Sequence, residues 1–153
     1  MNIAVISELE RRNVPYELIP HPRTTTAAAE AQVLHLSPNE VAKTLVLGTT
    51  IGYARVLIPA SKRVDPRKVA DAVGVPESWL VPETELVGAY PEFELGAIPP
   101  VSGPRNDRIV VDRVLRESPW IVFEAGRHDE SVRVRTGDLL AATYAIVADV
   151  CLD

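Results

Sequence analysis

The chain has 153 residues, 46% hydrophobic and 24% charged, with a net charge of −5. That length suits one ordinary domain, taken as residues 1–153, and the composition excludes a disordered or low-complexity protein. The acidic balance argues against a broad grip on duplex nucleic acid and leaves local contact with a few phosphates, while no apolar run approaches the roughly 20 residues that span a bilayer.

At the amino terminus, Ile3, Val5, Ile6 and Leu9 predict a short helix. The opening has no basic or long apolar leader and carries Glu8 and Glu10, so a cytoplasmic protein with no membrane segment is expected. Val14 to Pro20 reads as extended because its prolines interrupt any helix, with the first strand ending near His21. Thr25 or Thr26 caps an alanine-rich helix from Ala27 to Leu34. Ser37-Pro38-Asn39-Glu40 has the form of a capping box with proline at the first helical position, which predicts a very short helix delivering Lys43. Thr44 to Leu47 and Tyr53 to Pro59 predict a hairpin of two largely buried strands around Gly48 to Gly52.

Asp65-Pro66 opens a helix through Val73 that Gly74 closes. A short segment at Trp79 to Val81 and a helix after Pro82 lead into Gly88 to Gly103, whose glycines and prolines forbid a helix. A loop that long inside a compact domain is usually functional. Strands follow at Arg108 to Asp112, Trp120 to Ala125, Ser131 to Arg135 and Tyr144 to Val150, with a helix from Thr136 to Ala142. Strands mixed with short helices in no strict alternation predict an α/β (α+β) fold on a mixed sheet, not a doubly wound one. The basic groups Arg55, Lys62, Arg63, Arg67 and Lys68, then Arg105, Arg108, Arg113 and Arg116, then Arg127, Arg133 and Arg135 are expected on solvated faces. The acidic stretch Glu83, Glu85, Glu92 and Glu94 is read the same way.

No GxGxxG, Walker loop, HExxH, CxxC or GxSxG is present, which removes the commonest dinucleotide, NTPase, metalloprotease, zinc and hydrolase readings. His21, His35 and His128 lack the spacing of a metal cluster, so neither metal nor cofactor is expected. The single cysteine, Cys151, excludes an intrachain disulfide and suits packing in its apolar run. What remains is Lys43-Thr44 at the mouth of an apolar strand, the loop Gly96-Ala97-Ile98-Pro99-Pro100, and Gly126-Arg127-His128 between two strands. Taken alone, Lys43 has two readings: an ammonium that contacts an anionic ligand, or one that snorkels to water from a strand end. Thr44 reads equally as ordinary strand filling, the glycine-proline loop as a structural turn, and His128 as a surface loop histidine.

Val41-Ala42-Lys43-Thr44-Leu45, Gly96-Ala97-Ile98-Pro99-Pro100 and Ala125-Gly126-Arg127-His128, in that order and separation, resemble the YbaK/prolyl-tRNA synthetase-associated editing domain family of aminoacyl-tRNA deacylases. His21-Pro22 and the alanine-rich helix match the family's usual opening, and the resemblance runs from Tyr16 to Leu140. It implies a mostly antiparallel, barrel-like sheet with short flanking helices. It further implies a free-standing hydrolase that removes a wrong amino acid from the tRNA 3′ end, with a synthetase as a further partner. A separate editing site is needed because one methylene is worth only ~1–3 kcal/mol in a synthetase pocket.

Under the resemblance, Lys43 contacts the phosphate or terminal adenosine of the acceptor end, and Thr44 points a hydroxyl into the same pocket. Gly96 lets the loop backbone approach the ester, the N–H groups of Ala97 and Ile98 face the carbonyl oxygen, and Pro99 and Pro100 stiffen the loop. His128, beside Gly126, contacts the aminoacyl group, orients water or acts as a base, and His21 is a weaker binding candidate. No protein nucleophile is implied, since the ribose hydroxyl and a water assist. Val101-Ser102-Gly103 departs from the phenylalanine or leucine that relatives often carry after the loop, which leaves the amino acid open. The competing reading is a non-catalytic module of the same fold that binds an aminoacyl end or small ligand. An esterase acting on simple esters is a third.

Overall fold

The computed structural model describes residues 3–103 and 106–153; Arg105 of the second basic group lies outside the described residues. The chain begins with α1 (Ile3–Arg11), β1 (Tyr16–Pro20) and α2 (Ala27–Val33). Thr26 caps α2, its side chain accepting from the Ala29 amide. The hairpin of β2 (Ala42–Thr49) and β3 (Gly52–Pro59) is longer and tighter than the sequence predicts. Its turn closes through Thr49, whose hydroxyl donates to the Gly52 carbonyl and accepts the Ile51 amide.

Then come α3 (Pro66–Val73), β4 (Ser78–Leu80) and α4 (Glu83–Ala89). The Asp65 side chain caps α3 and Gly74 ends it in a left-handed conformation, φ 85°. After the long loop the chain continues as β5 (Arg108–Asp112), α5 (Arg113–Arg116), β6 (Trp120–Arg127), β7 (Glu130–Arg135), α6 (Thr136–Thr143) and β8 (Ile146–Ala148). The sequence pattern gave no sign of α5, a single turn capped by Asp112. The short helix expected at Ser37 is a turn instead, because Val41 already bridges Val122 and β2 starts at Ala42.

The strands form two sheets. A three-stranded antiparallel sheet runs β1-β7-β6, and a five-stranded mixed sheet runs β4-β2-β3-β5-β8. In the larger sheet β2 pairs antiparallel with β3 and β4, while β3-β5 and β5-β8 are parallel. The mixed, mostly antiparallel α+β character therefore stands, but no closed barrel is found among the described residues. The two sheets meet where Val41 bridges Val122 and the Val122 amide donates to the Glu40 carbonyl (2.9 Å).

The main core fills the space between the sheets. Val5 and Leu9 of α1, Ile121 and Phe123 of β6, Val132 and Val134 of β7 and Leu139 of α6 pack with Val46, Leu57 and Val111 of the larger sheet. The opposite face of that sheet buries Leu47, Ala54, Val56, Ile58 and Val110 with Val69 of α3. A sheet covered on both faces explains why β2 and β3 read as continuous apolar runs. A third small cluster, Ala31, Val41, Ala60 and Val122, fastens α2 beside the junction of the sheets. That places the start of β2, α2 and the end of β6 side by side. No helix among the described residues is long and apolar enough to cross a membrane.

Candidate functional site

Lys43 and Thr44 are the second and third residues of β2, paired with Ile58 and Leu57 of β3, and both are half-buried. They line a cavity of about 10 Å³ with Ala27 and Glu30 of α2, Ala42, Gly96, Ala97 and Ile98 of the long loop, and Glu124 of β6. That volume is the space of about one water molecule. Burial pulls the Lys43 ammonium below the ordinary lysine range, with Cys151 opposing and Arg63 adding to the shift. Among the described residues Lys43 takes part in no ion pair.

The loop is held from two sides. On one side, β6 and β7 are joined through a β-bulge between Glu124 and Arg127, with Gly126 at φ 89°. The Gly126 amide donates to the Ala97 carbonyl (2.9 Å), and the Glu94 amide donates to the Gly126 carbonyl (3.0 Å). A bulge re-aims the backbone, and here it turns two polar groups of Gly126 toward the loop. On the other side, Arg55 of β3 is buried, contrary to the solvated face expected for it. Its guanidinium donates to the carbonyls of Pro99 (2.7 Å) and Ser102 (2.6 Å) and to Asp107 (2.9 Å), and lies 4.9 Å from the Tyr90 ring centroid. One planar fork thus fixes both ends of the Pro99 to Ser102 turn.

The amide of Ala97 donates to the Glu94 carbonyl (3.0 Å). Of the two loop amides expected to face a carbonyl oxygen, only that of Ile98 is left without a backbone partner among the described residues.

His128 is buried and is therefore not the surface histidine of the competing reading. Its Nε2 lies 2.6 Å from the Leu95 carbonyl and its Nδ1 3.2 Å from Glu124. A carbonyl only accepts, so Nε2 carries the hydrogen and donates it, and Nδ1 shares a proton with Glu124. The ring thus ties β6 to the loop one residue before Gly96. Glu94 is likewise not simply solvated: its Oε2 accepts the His128 amide (3.0 Å) and pairs with Arg23 (2.9 Å). His21 stands one step outside the cavity, with Nε2 2.8 Å from the Ser131 hydroxyl. That hydroxyl donates to Glu30 Oε2 at 2.5 Å.

Sequence reasoning missed Glu30 and Glu124. Glu30 is fully buried, and burial raises its carboxyl to about 8; Ser131 opposes this and the nearby charge of Glu124 adds to it. Burial also raises Glu124 to about 8, helped by Glu94 and opposed by Arg23. The signal was a lone charge within an apolar stretch, Ala27-Ala28-Ala29-Glu30-Ala31 and Ile121-Val122-Phe123-Glu124-Ala125. A buried carboxylate is costly, so it is seldom placed there without a task. The described residues contain no group of three or more His, Cys, Asp or Glu arranged to hold a metal ion.

Comparison with known proteins bears on this arrangement. A search of curated proteins finds no match. Among solved structures, the chain superposes on the hypothetical protein APE2540 with TM-score 0.85 and 30% identity, covering 94% of this chain and 96% of the other. A scaffold used for computational epitope grafting matches with TM-score 0.87 and 25% identity, over 98% of this chain and 96% of that one. A proposed trans-editing enzyme for prolyl tRNA synthetase matches with TM-score 0.86 and 24% identity over 100% and 99% of the two chains, a likeness of fold. The model of the aminoacyl-tRNA editing domain matches residues 21–142, a span that includes Lys43, the Gly96 to Pro100 loop, His128 and both buried carboxylates. The chain therefore belongs to the aminoacyl-tRNA editing domain family.

Proposed function

We propose that the protein is a free-standing deacylase that hydrolyses the ester between a wrong amino acid and the 3′ end of a tRNA, in the cytoplasm and without a metal or cofactor. The observation that carries this reading is the convergence of Lys43, Thr44 and the Gly96 to Ile98 backbone on one small cavity.

In this reading the Lys43 ammonium sits at the cavity edge as a point charge for a phosphate or the terminal adenosine of the acceptor end. Thr44 offers a hydroxyl to the same end. The Ile98 amide faces the ester carbonyl, where a fixed donor stabilises the charge that develops as water attacks. Because Arg55 and Gly126 clamp the loop before substrate arrives, that donor needs little reorganisation. His128 holds Leu95 and so sets the position of Gly96, while Pro99 and Pro100 keep the following turn rigid. Cys151, whose thiol burial raises to about 12, is unsuited to nucleophilic attack, in keeping with assistance from the substrate's own ribose hydroxyl and a water. A synthetase would be a partner in delivering or recapturing the tRNA.

The test is a panel of tRNAs charged with alanine, cysteine, serine or proline, incubated with the protein and with Lys43→Ala. Release of at least one amino acid, reduced by ten-fold or more in the variant, is expected. No release from any of them would leave the non-catalytic binding module as the better reading. Undiminished release by Lys43→Ala would remove Lys43 from the site.

A further inference from the structure

We propose that Glu30 and Glu124 form the recognition site for the α-ammonium of the aminoacyl group, an inference that rests on the editing-site reading above. Glu30 from α2 and Glu124 from β6 approach the cavity from different elements, and both line it together with Gly96, Ala97 and Ile98 of the loop. Each is more than nine-tenths buried; Glu30 Oε1 has no hydrogen-bond partner, and Glu124 Oε2 has beside it only His128 Nδ1 at 3.2 Å, the nitrogen that lies equally far from Oε1. An unpartnered buried polar atom costs about 1–3 kcal/mol, more when charged. An unpartnered Glu30 oxygen and an under-partnered Glu124 at one cavity therefore describe a site incomplete without its ligand.

The missing partner is a cationic donor: burial holds both carboxyls protonated near neutral pH, and a positive charge arriving between them favours the ionised, accepting form, so that binding releases protons. It is compact, because the space between these walls is about that of one water molecule. A primary ammonium meets both conditions, supplying three N–H donors and a positive charge in a volume close to that of water. The remaining oxygens have fixed partners. Ser131 donates to Glu30 Oε2, which His21 backs through the same hydroxyl, and His128 Nδ1 meets Glu124. These contacts leave Glu30 Oε1 unused and leave Glu124 Oε2 to share one ring nitrogen with its own Oε1. The site would thus select an ester with a free α-amino group, and an N-blocked or deaminated acyl group would leave Glu30 Oε1 without a donor.

Two non-hydrolysable adenosines that differ only in the α-amino group test this: 3′-deoxy-3′-(L-alanylamino)adenosine and 3′-deoxy-3′-(propionylamino)adenosine. Their affinities for the full chain are measured by calorimetry near neutral pH. The alanyl compound should bind about 10- to 100-fold more tightly, the range expected of hydrogen bonds to charged groups. Glu30→Gln and Glu124→Gln should each shrink that ratio, and the double variant should bring it close to one. A ratio near one in the unmodified protein, a ratio preserved in the double variant, or binding of neither compound would each overturn the proposal. Should the double variant fail to fold, the ratio in the unmodified protein decides. Deacylation of mischarged tRNA is followed in parallel: ammonium preference without hydrolysis removes only the hydrolase reading, and hydrolysis with a ratio of one removes only the ammonium site.

Discussion

The His128 ring lies directly over Gly96: a Cβ built on Gly96 would stand 3.2 Å from His128 Cε1, and the Gly96 backbone is left-handed at φ 83°. Space and backbone conformation therefore both call for glycine. Gly96→Ala should cost ~1–2 kcal/mol of stability through the left-handed conformation alone. By pushing the His128 ring off the Leu95 carbonyl it should also lower deacylation ten-fold or more. Comparing the chemical-denaturation midpoint with the rate of amino acid release separates the two effects. Unchanged release would mean that the loop reaches its working geometry without His128.

Arg55 offers a second test of the loop clamp. Replacing it with Met keeps the bulk but leaves Asp107 buried beside Tyr90 and frees the carbonyls of Pro99 and Ser102. Breaking a buried pair on one side typically costs about 3–5 kcal/mol. Urea denaturation of Arg55→Met should show a loss of that order. Arg55→Lys should recover part of the stability but less of the activity, because one ammonium cannot hold both carbonyls and the carboxylate together.

The buried carboxylates predict a pH dependence of stability. Glu30 and Glu124 both titrate near 8 in the folded protein, against 4.5 for an ordinary glutamate. Between those values the folded state retains protons that the unfolded state has released. Stability should therefore fall as pH rises from about 4.5 to about 8, by an amount on the order of a few kcal/mol, and level off above. The groups facing the pair are Ser131 and His21 on the Glu30 side, His128, Glu94 and Arg23 on the Glu124 side, and Lys43 across the cavity. Urea titrations at pH 5, 6.5 and 8 should show the slope, and Glu30→Gln with Glu124→Gln should flatten it.

Cys151 should be chemically quiet. It is buried, bridges Val64, and its thiol is raised to about 12 by burial and by Asp112. A thiol-selective chromogenic reagent should fail to label the native protein at neutral pH and should titrate one thiol after unfolding. Rapid native labelling would show that the C-terminal segment opens readily.

Much of the fold was legible along the chain because its signals are local. Thr26 before a run of alanines, Asp65-Pro66 ahead of an amphipathic turn and Gly74 after it each fix a helix end within a few residues, and those ends appear where predicted. The apolar runs of β2 and β3 likewise marked buried strands. The turn at Ser37 to Glu40 escaped because a capping box shows only that a helix can start there. Whether it continues depends on Val122, far along the chain, which draws Val41 into a bridge. Arg55 escaped for a similar reason: an arginine among other basic residues looks solvated until Asp107 and two loop carbonyls are brought around it.

The sequence by itself determined the family and named the candidate site residues, since Lys43-Thr44, the Gly96 to Pro100 loop and Gly126-Arg127-His128 carry the resemblance in residue type and order. Only the tertiary structure decided what surrounds them. It placed Glu30 and Glu124 against the same cavity, turned His128 onto the loop and committed the Ala97 amide to Glu94. The physical reason is burial: whether a charge is solvated, paired or left with an unused oxygen depends on the segments folded over it, and neighbours in the chain do not report that.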